Sequence, residues 1–551
     1  MRSSPLQALT ALLILAGCAG GAPAHAARKK PLELRPVQLT LPGLPAQVIS
    51  TDLDGDGRED LLFVLAYTEI ESIGVARVED MVQFTTVIPA VFDRREARAY
   101  LARDDGTYVL AAAALPLEGV LAVAEGPDGM PPLALTDAGV AEIVLGGAAG
   151  PDGATLTLRP LIDEPPVIAG AGEFFSNLEW VRDLDGDGDR DLLLPAVAGP
   201  HVYLNEGGRI DGSRVQRLSL PGDRRWSGRR QYPFPDVGDL NGDGRLDLLV
   251  SSRYRDYRET HVLLGGPDGR FAPLHAGDAA CPLGESALRF VGADDEVSTT
   301  IDDLAHVGDL DGDGRAEVVT QTKIEPEKTG MRASMKDAKR PRHTFRFYRL
   351  DERLRVEAEP YQVLEAEGHS FDATFGGVNF SQFTDLDGDG RTDLIAITLD
   401  FSLLGMLSAM ATKRMTIGLD FHVWNQGEDG RFKQVGGLDL SEKLRLDLKR
   451  FKVGRLAQFQ GDYDGDGRID FVHFGRGKRI TIHRGQPGCR YPQAPDLVLE
   501  LDEEPQDLEL IRVADYDGDG RSDFSITRLL PAEREGESPP VRVDFYLSDT
   551  P

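Results

Sequence analysis

Seven times the chain repeats one nine-residue phrase, an acidic turn followed at once by a short apolar run. The copies begin at Asp52, Asp183, Asp239, Asp309, Asp385, Asp462 and Asp515. A phrase that recurs in this way means a fold of like units. One such unit cannot bury its own apolar face and must stack on its neighbours.

The phrase also dictates a chemistry. Positions 1, 3, 5 and 9 of each copy are oxygen donors. Loop one offers Asp52, Asp54, Asp56 and Asp60; loop two Asp183, Asp185, Asp187 and Asp191; loop three Asp239, Asn241, Asp243 and Asp247. Loop four has Asp309, Asp311, Asp313 and Glu317, and loop five Asp385, Asp387, Asp389 and Asp393. Loops six and seven have Asp462, Asp464, Asp466, Asp470 and Asp515, Asp517, Asp519, Asp523. Carboxylates crowded like this repel one another until a cation neutralises them. Hard oxygen ligands in a short loop suit Ca²⁺, which takes six to eight of them. Glycines at positions 4 and 6 allow the tight bend. Position 7 would ligate through its carbonyl, leaving its side chain free to vary: Arg58, Asp189, Arg245, Arg315, Arg391, Arg468 and Arg521.

An EF-hand loop begins alike but needs a bidentate Glu at position 12 and flanking helices. Position 12 here is Phe63, Leu194, Val250, Thr320, Ala396, His473 and Ile526, and none can replace that Glu. The flanks, such as Leu61-Leu-Phe-Val64 and Leu394-Ile-Ala-Ile397, read as buried strand. An acidic β-turn without an ion stays open as the alternative, most of all for the loop with Asn241.

These in-register loops resemble the FG-GAP or VCBS repeat of integrin α-subunit heads and of many bacterial surface proteins. The resemblance implies an all-β propeller of four-stranded blades, with each loop joining two strands of a blade and holding a structural Ca²⁺, up to seven in all. It implies no partner, because fold and function are separable.

A second unit follows the loops, a strand ending in a polar turn, as in His201-Val-Tyr-Leu-Asn205, His261-Val-Leu-Leu-Gly-Gly-Pro-Asp-Gly-Arg270 and His422-Val-Trp-Asn-Gln-Gly-Glu-Asp-Gly-Arg431. Strand, loop, strand, strand, turn, strand is one propeller blade. The interval from Asp52 to Asp183 is about twice the others. Either seven blades carry a long insertion there, the preferred reading, or an eighth blade has lost its acidic loop. Within the interval, Ala141–Gly147 and Pro151–Leu158 mimic the strand–turn unit. The last run, Val541–Tyr546, reads as a third strand whose missing outer neighbour is Leu32–Leu41, which would latch the ring.

The N-terminus divides into residues 1–17, a signal peptide, and 18–32, a tether, with the propeller over 33–551. The apolar run Leu6–Leu15 is too short to span a bilayer. Leu15-Ala16-Gly17-Cys18 resembles the lipobox of bacterial lipoproteins, which implies acylation of Cys18 and a lipid-anchored position, at the outer membrane where there is one. Cleavage after Ala24-His25-Ala26 is the alternative, giving a periplasmic or secreted protein. Cys281 and Cys489 lie in different blades, and a disulfide between them stays open.

The net charge is −30, and the loops account for much of it. Seven divalent cations would bring −30 to −16, which still excludes nucleic acid as a partner. One basic run stands apart: Lys323, Lys328, Arg332, Lys336, Lys339, Arg340, Arg342 and His343, a solvated loop or a patch for anionic lipid or polysaccharide. Another loop, Arg224–Arg230, could offer Arg and Trp to a partner. No nucleophile elbow, phosphate loop, His-Glu-x-x-His helix or nicotinamide fingerprint is present. His201, His261 and His422 fall at one place in the repeat, which argues strand packing over catalysis. No catalytic residue is assigned. The expectation is a monomeric binding or adhesion module for a protein or glycan of the envelope. A Ca²⁺-dependent polysaccharide lyase-like enzyme and an outer-membrane scaffold or assembly factor are the alternatives. Recognition is expected on the irregular segments 68–101, 323–342 and 401–415. The apolar stretch Phe401–Ala411 reads as a short packed helix.

Overall fold

The strands of the chain assemble into eight sheets, the blades of a β-propeller. The computed structural model describes residues 31–67, 94–127, 129–147, 154–166, 169, 174–175, 178–196, 200–218, 235–253, 257–273, 288–291, 302–323, 342–351, 354, 356–357, 359–370, 382–400, 414–436, 440–447, 459–474, 478–503, 510–530 and 540–549. All regular structure among them is β.

Blade 1 shows the pattern: Leu44–Thr51, then the acidic loop, Asp60–Tyr67, Arg94–Ala102 and Tyr108–Leu110, each antiparallel to the one before. Blades 3 to 7 follow over residues 181–217, 236–291, 302–367, 369–447 and 461–500. Blade 8 takes Leu510–Ala514, Asp523–Leu529 and Val541–Asp549 from the end of the chain, and its outer strand, Glu33–Leu41, from the beginning. The register runs without a break from Glu33↔Asp549 to Leu41↔Val541. The expected latch is present.

Of the two readings of the long interval, the eight-blade one holds and the preferred seven-blade one gives way. Val120–Ala124, Leu133–Thr136, Gly139–Gly146 and Ala154–Ile162 form a complete blade 2. Its first turn, Glu125-Gly-Pro-Asp-Gly-Met-Pro-Pro132, lacks the carboxylate spacing, so a search by acidic loops passes over it.

The apolar runs after the loops are continuous because both faces of each blade are covered. Leu61, Phe63 and Leu65 pack against Val541, Val543 and Phe545 of blade 8, while Leu62, Val64 and Ala66 pack against Val120, Ala134 and Ile143 of blade 2. Among the described residues there are eight such apolar clusters, one for each pair of adjacent blades. The cluster between blades 8 and 1 closes the ring.

Several expectations are amended. The basic run was read as one loop from Lys323 to His343, but both ends are strand: Lys323 pairs with His343, and the His343 side chain is buried against Gln321 and Phe345. Residues 94–101 and 414–415 are likewise strand and not irregular segment. Cys18, Arg224–Arg230, Cys281 and Phe401–Ala411 lie outside the described residues. Cys489 is free and buried.

Candidate metal centres

Each acidic loop joins the first and second strands of its blade, in blades 1, 3, 4, 5, 6, 7 and 8. Glycines 4 and 6 are left-handed throughout, for example Gly388 at φ 72° and Gly390 at φ 82°. The position-1 carboxylate caps the turn. In the blade 6 loop Asp385 Oδ1 accepts from Gly388 N at 2.8 Å and Asp389 N at 3.2 Å, and Oδ2 accepts from Gly390 N at 2.8 Å. The loop's own amides thus hold its shape.

The position-9 carboxylate ties the loop to the rest of its blade. Asp191 Oδ2 accepts from Leu184 N at 2.8 Å, and its Oδ1 accepts from Asn205 N at the end of the third strand at 2.7 Å. The same two bonds recur at Asp60, Asp247, Asp393, Asp470 and Asp523. Glu317 accepts from Leu310 N at 3.0 Å. These carboxyls are buried, and burial pushes them up: Asp60 and Asp247 to about 6, and Asp191, Glu317, Asp470 and Asp523 to about 7.

In at least five loops, carboxylate oxygens of positions 1, 3 and 9 lie within 4.8 Å of one another: Asp52, Asp54, Asp60; Asp183, Asp185, Asp191; Asp309, Asp311, Glu317; Asp385, Asp387, Asp393; and Asp462, Asp464, Asp470. In four loops position 5 is engaged by an arginine. Its carboxylate turns to the position-7 guanidinium, pairing Arg58 with Asp56, Arg245 with Asp243, Arg391 with Asp389 and Arg468 with Asp466. In blade 8 the Arg521–Asp519 pair is looser, at 3.6 Å. Asp189, the one acidic position 7, accepts from Gly207 N at 2.8 Å.

A divalent cation fits this arrangement. The donors are all oxygen, and two position-3 carboxylates hold a buried oxygen, Oδ1 of Asp387 and Oδ1 of Asp517, that accepts no hydrogen bond. A buried carboxylate oxygen left so is costly unless something positive sits beside it. The blade 7 and blade 8 loops differ from blade 6, since the Arg484 guanidinium stands 2.9 Å from Asp464 and that of Arg35 3.8 Å from Asp517 Oδ2, and each supplies part of that charge from within the protein.

The loops touch one another around the ring. A Cβ on Gly186 would stand 2.7 Å from Gly244 O of the next loop, and one on Gly388 2.8 Å from Gly467 O. Backbone bonds stitch the same contacts: Thr392 N to Leu310 O at 2.9 Å, Ile469 N to Leu386 O at 3.0 Å and Ser522 N to Asp462 O at 2.8 Å. Ser50 Oγ reaches Tyr516 O at 3.0 Å, joining blade 1 to blade 8. Among the described residues the chain of loops breaks at blade 2, where Arg190 bonds Glu125 instead.

Position 2 was not singled out as functional, although it is Leu or Tyr in every copy. Leu184, Leu240, Leu310, Leu386, Tyr463 and Tyr516 are buried between blades and plug each loop into the core. Two of the repeated histidines, His201 and His422, meet neighbouring side chains. His201 Nδ1 lies 2.9 Å from Glu164 Oε1, and His422 Nε2 lies 2.9 Å from Thr398 Oγ1. In register they sit opposite Leu194 and Ala396, as His261 sits opposite Val250.

The FG-GAP-like repeat family model matches residues 183–250, from the blade 3 loop to the second strand of blade 4. No curated protein matches the chain in sequence. Similar solved structures include a mutant form of the Photorhabdus luminescens Tc holotoxin pore, at 16% identity and a TM-score of 0.29, with 88% of this chain and 18% of that one covered. They also include the polysaccharide lyase Uly1, at 8% identity and a TM-score of 0.32, covering 94% of this chain and 100% of the other. The exotype rhamnogalacturonan lyase YesX is similar at 12% identity and a TM-score of 0.26, covering 94% and 74%. The chain thus spans less than a fifth of the toxin component, and likenesses of this order say nothing of activity.

Proposed function

We propose that this FG-GAP-repeat β-propeller is a calcium-stiffened binding module of the cell envelope, held at the membrane by lipid on Cys18. It would recognise a protein or a glycan there. The observation that carries the reading is the placement of the acidic clusters. Their carboxylates are already shared between the loop's own amides and the third strand of the blade, and backbone bonds tie the loops to the adjacent blade. A cation held there neutralises the carboxylates and stiffens the blade. The same job is done in seven blades, whereas a reaction needs one site.

Recognition then belongs to the parts that differ from blade to blade, among them the segments within 68–93, 324–341 and 401–413. The test has two arms. Purified protein in millimolar Ca²⁺ is given acidic polysaccharides, and products with unsaturated ends are followed by absorbance. Retention of the polymer or of an envelope protein without cleavage supports the reading, and calcium-dependent cleavage would replace it with a lyase. In the second arm, Cys18→Ser should move the protein out of the detergent phase. Unchanged partitioning would assign export to the Ala24-His25-Ala26 site.

A further inference from the structure

The turn between the third and fourth strands of one blade lies over the acidic loop of the blade before it. In blades 4, 6 and 7 this turn is closed by the same backbone bond: Gly266 N to Arg270 O at 2.8 Å, Gly427 N to Arg431 O at 2.9 Å and Gln486 N to Arg490 O at 3.0 Å. The residue before the closing arginine is left-handed in all three, Gly269 at φ 67°, Gly430 at φ 68° and Cys489 at φ 52°. The two glycines face a position-3 carboxylate, since a Cβ on Gly269 would lie 3.2 Å from Asp185 Oδ2 and one on Gly430 2.6 Å from Asp311 Oδ2. Blade 7 puts a thiol at this place, in a backbone conformation that costs a non-glycine residue about 1 kcal/mol.

That thiol reaches the Asp393 end of the blade 6 cluster. Cys489 is 1% exposed and its Sγ donates to Asp393 Oδ2 at 3.0 Å. Asn425 Nδ2 holds the other oxygen of Asp393 at 3.1 Å and lies 3.5 Å from Sγ. Gly488 N donates to Asp387 Oδ2. Asp387 is itself only 6% exposed, and its Oδ1 is buried with no partner. An oxygen so placed, in a carboxylate whose ligand atoms lie within 4.8 Å of those of Asp385 and Asp393, points to a cation in this cluster independently of the cysteine.

We propose that the blade 6 site is a mixed sulfur–oxygen centre, Asp385, Asp387, Asp393 and Cys489, which holds a borderline-soft divalent cation of the zinc class. Thiolate selects such ions over Ca²⁺, whereas carboxylate alone does not. On binding, sulfur gives its proton to solvent and forms the metal bond. Asn425 and Gly488 N keep the carboxylates oriented, as partners of metal ligands do. The inference rests on the reading that the blade loops hold cations.

The test uses the full chain with Cys18→Ser and Cys281→Ser, so that Cys489 is the remaining thiol. The protein is saturated with Ca²⁺ and titrated with Cd²⁺, following the ultraviolet thiolate-to-metal band, with bound calcium and cadmium measured by elemental analysis. One equivalent of Cd²⁺ should bind with a band that saturates at that equivalent, and Zn²⁺ should abolish the band by displacement. Cys489→Gly restores the residue that blades 4 and 6 use, so it should fold at least as well while losing the band. Calcium bound at the loops with no thiolate band in the parent protein would overturn the mixed centre alone. A band that survives Cys489→Gly would overturn it too. No calcium and no band together would overturn the metal reading itself.

Discussion

At the scale of single residues, the nine positions of the loop do different jobs. Position 1 shapes the turn, position 5 answers an arginine in five loops, and position 9 is a buried staple, with two backbone donors in six of the loops. Asp191→Ala would leave the Leu184 and Asn205 amides unpaired, at about 1–3 kcal/mol for each. Asp187→Ala removes an exposed carboxylate and should cost well under half of that. Urea unfolding of the two variants measures the difference, and equal losses would contradict the staple. The staples also set a pH dependence for the chelated protein. Their folded-state values of about 6 to 7 lie above the ordinary carboxylate range, so the native state holds extra protons between about pH 4 and 7. Their contribution is full at the acid end and is lost as pH rises through that window. In EDTA the melting midpoint should therefore be higher at pH 5.5 than at pH 7.5, and in millimolar Ca²⁺ the order should reverse. A midpoint indifferent to pH in EDTA would contradict the burial of these groups.

At the scale of elements, loop touches loop, and the glycines report it. A Cβ on Gly242 would overlap the carbonyl oxygen of Gly314 in the next blade, whereas one on Gly244 meets nothing within 4 Å. Both are left-handed, so each alanine carries a conformational cost of about 1 kcal/mol. Gly242→Ala should cost clearly more than Gly244→Ala, because a blade interface must also open, and equal denaturation midpoints would contradict the stitched ring. The loops were legible in the sequence because a cation site demands fixed oxygens at fixed spacing, and the strands after them because burial on both faces leaves an unbroken apolar run. Blade 2 was half legible. Its strand–turn unit could be recognised, but its first turn, Glu125–Pro132, carries no ligand set and so left the blade count open. The position-2 plug was written plainly as Leu or Tyr, but a reading aimed at oxygen ligands passes over an apolar residue. Lys323 and His343 read as loop in the sequence because charge masks a strand whose buried face carries Phe345 and Phe347. The turns at Gly269 and Gly430 were legible as the polar end of the strand–turn unit, but not their contact with the loops of the preceding blade, which comes only through the fold.

At the scale of the molecule, the ring is closed twice over, by strand pairing within blade 8 and by packing between blades 8 and 1. Val543→Asp should strike both, since Val543 is 1% exposed, lies opposite Leu39 and packs beside Phe545. A loss of several kcal/mol is expected, as for an unpaired buried charge. A melting point near that of the parent would mean that the outer strand is dispensable. The seven acidic loops act on the same ring. With about 1 mM free Ca²⁺ and a site Kd near 10⁻⁴ M, each site would add about 1.4 kcal/mol, and seven together roughly 10 kcal/mol, the stability of an ordinary domain. The blade 1 loop should contribute least, because blade 2 brings no acidic loop against it and Asp54 is exposed. The most direct measurement is calorimetric unfolding of the full chain with and without EDTA, with bound metal counted in the same samples. The account predicts several bound divalent cations per chain, a large fall in melting temperature on chelation and recovery when Ca²⁺ is restored. A transition that EDTA leaves unmoved, in protein with no bound metal, would contradict it.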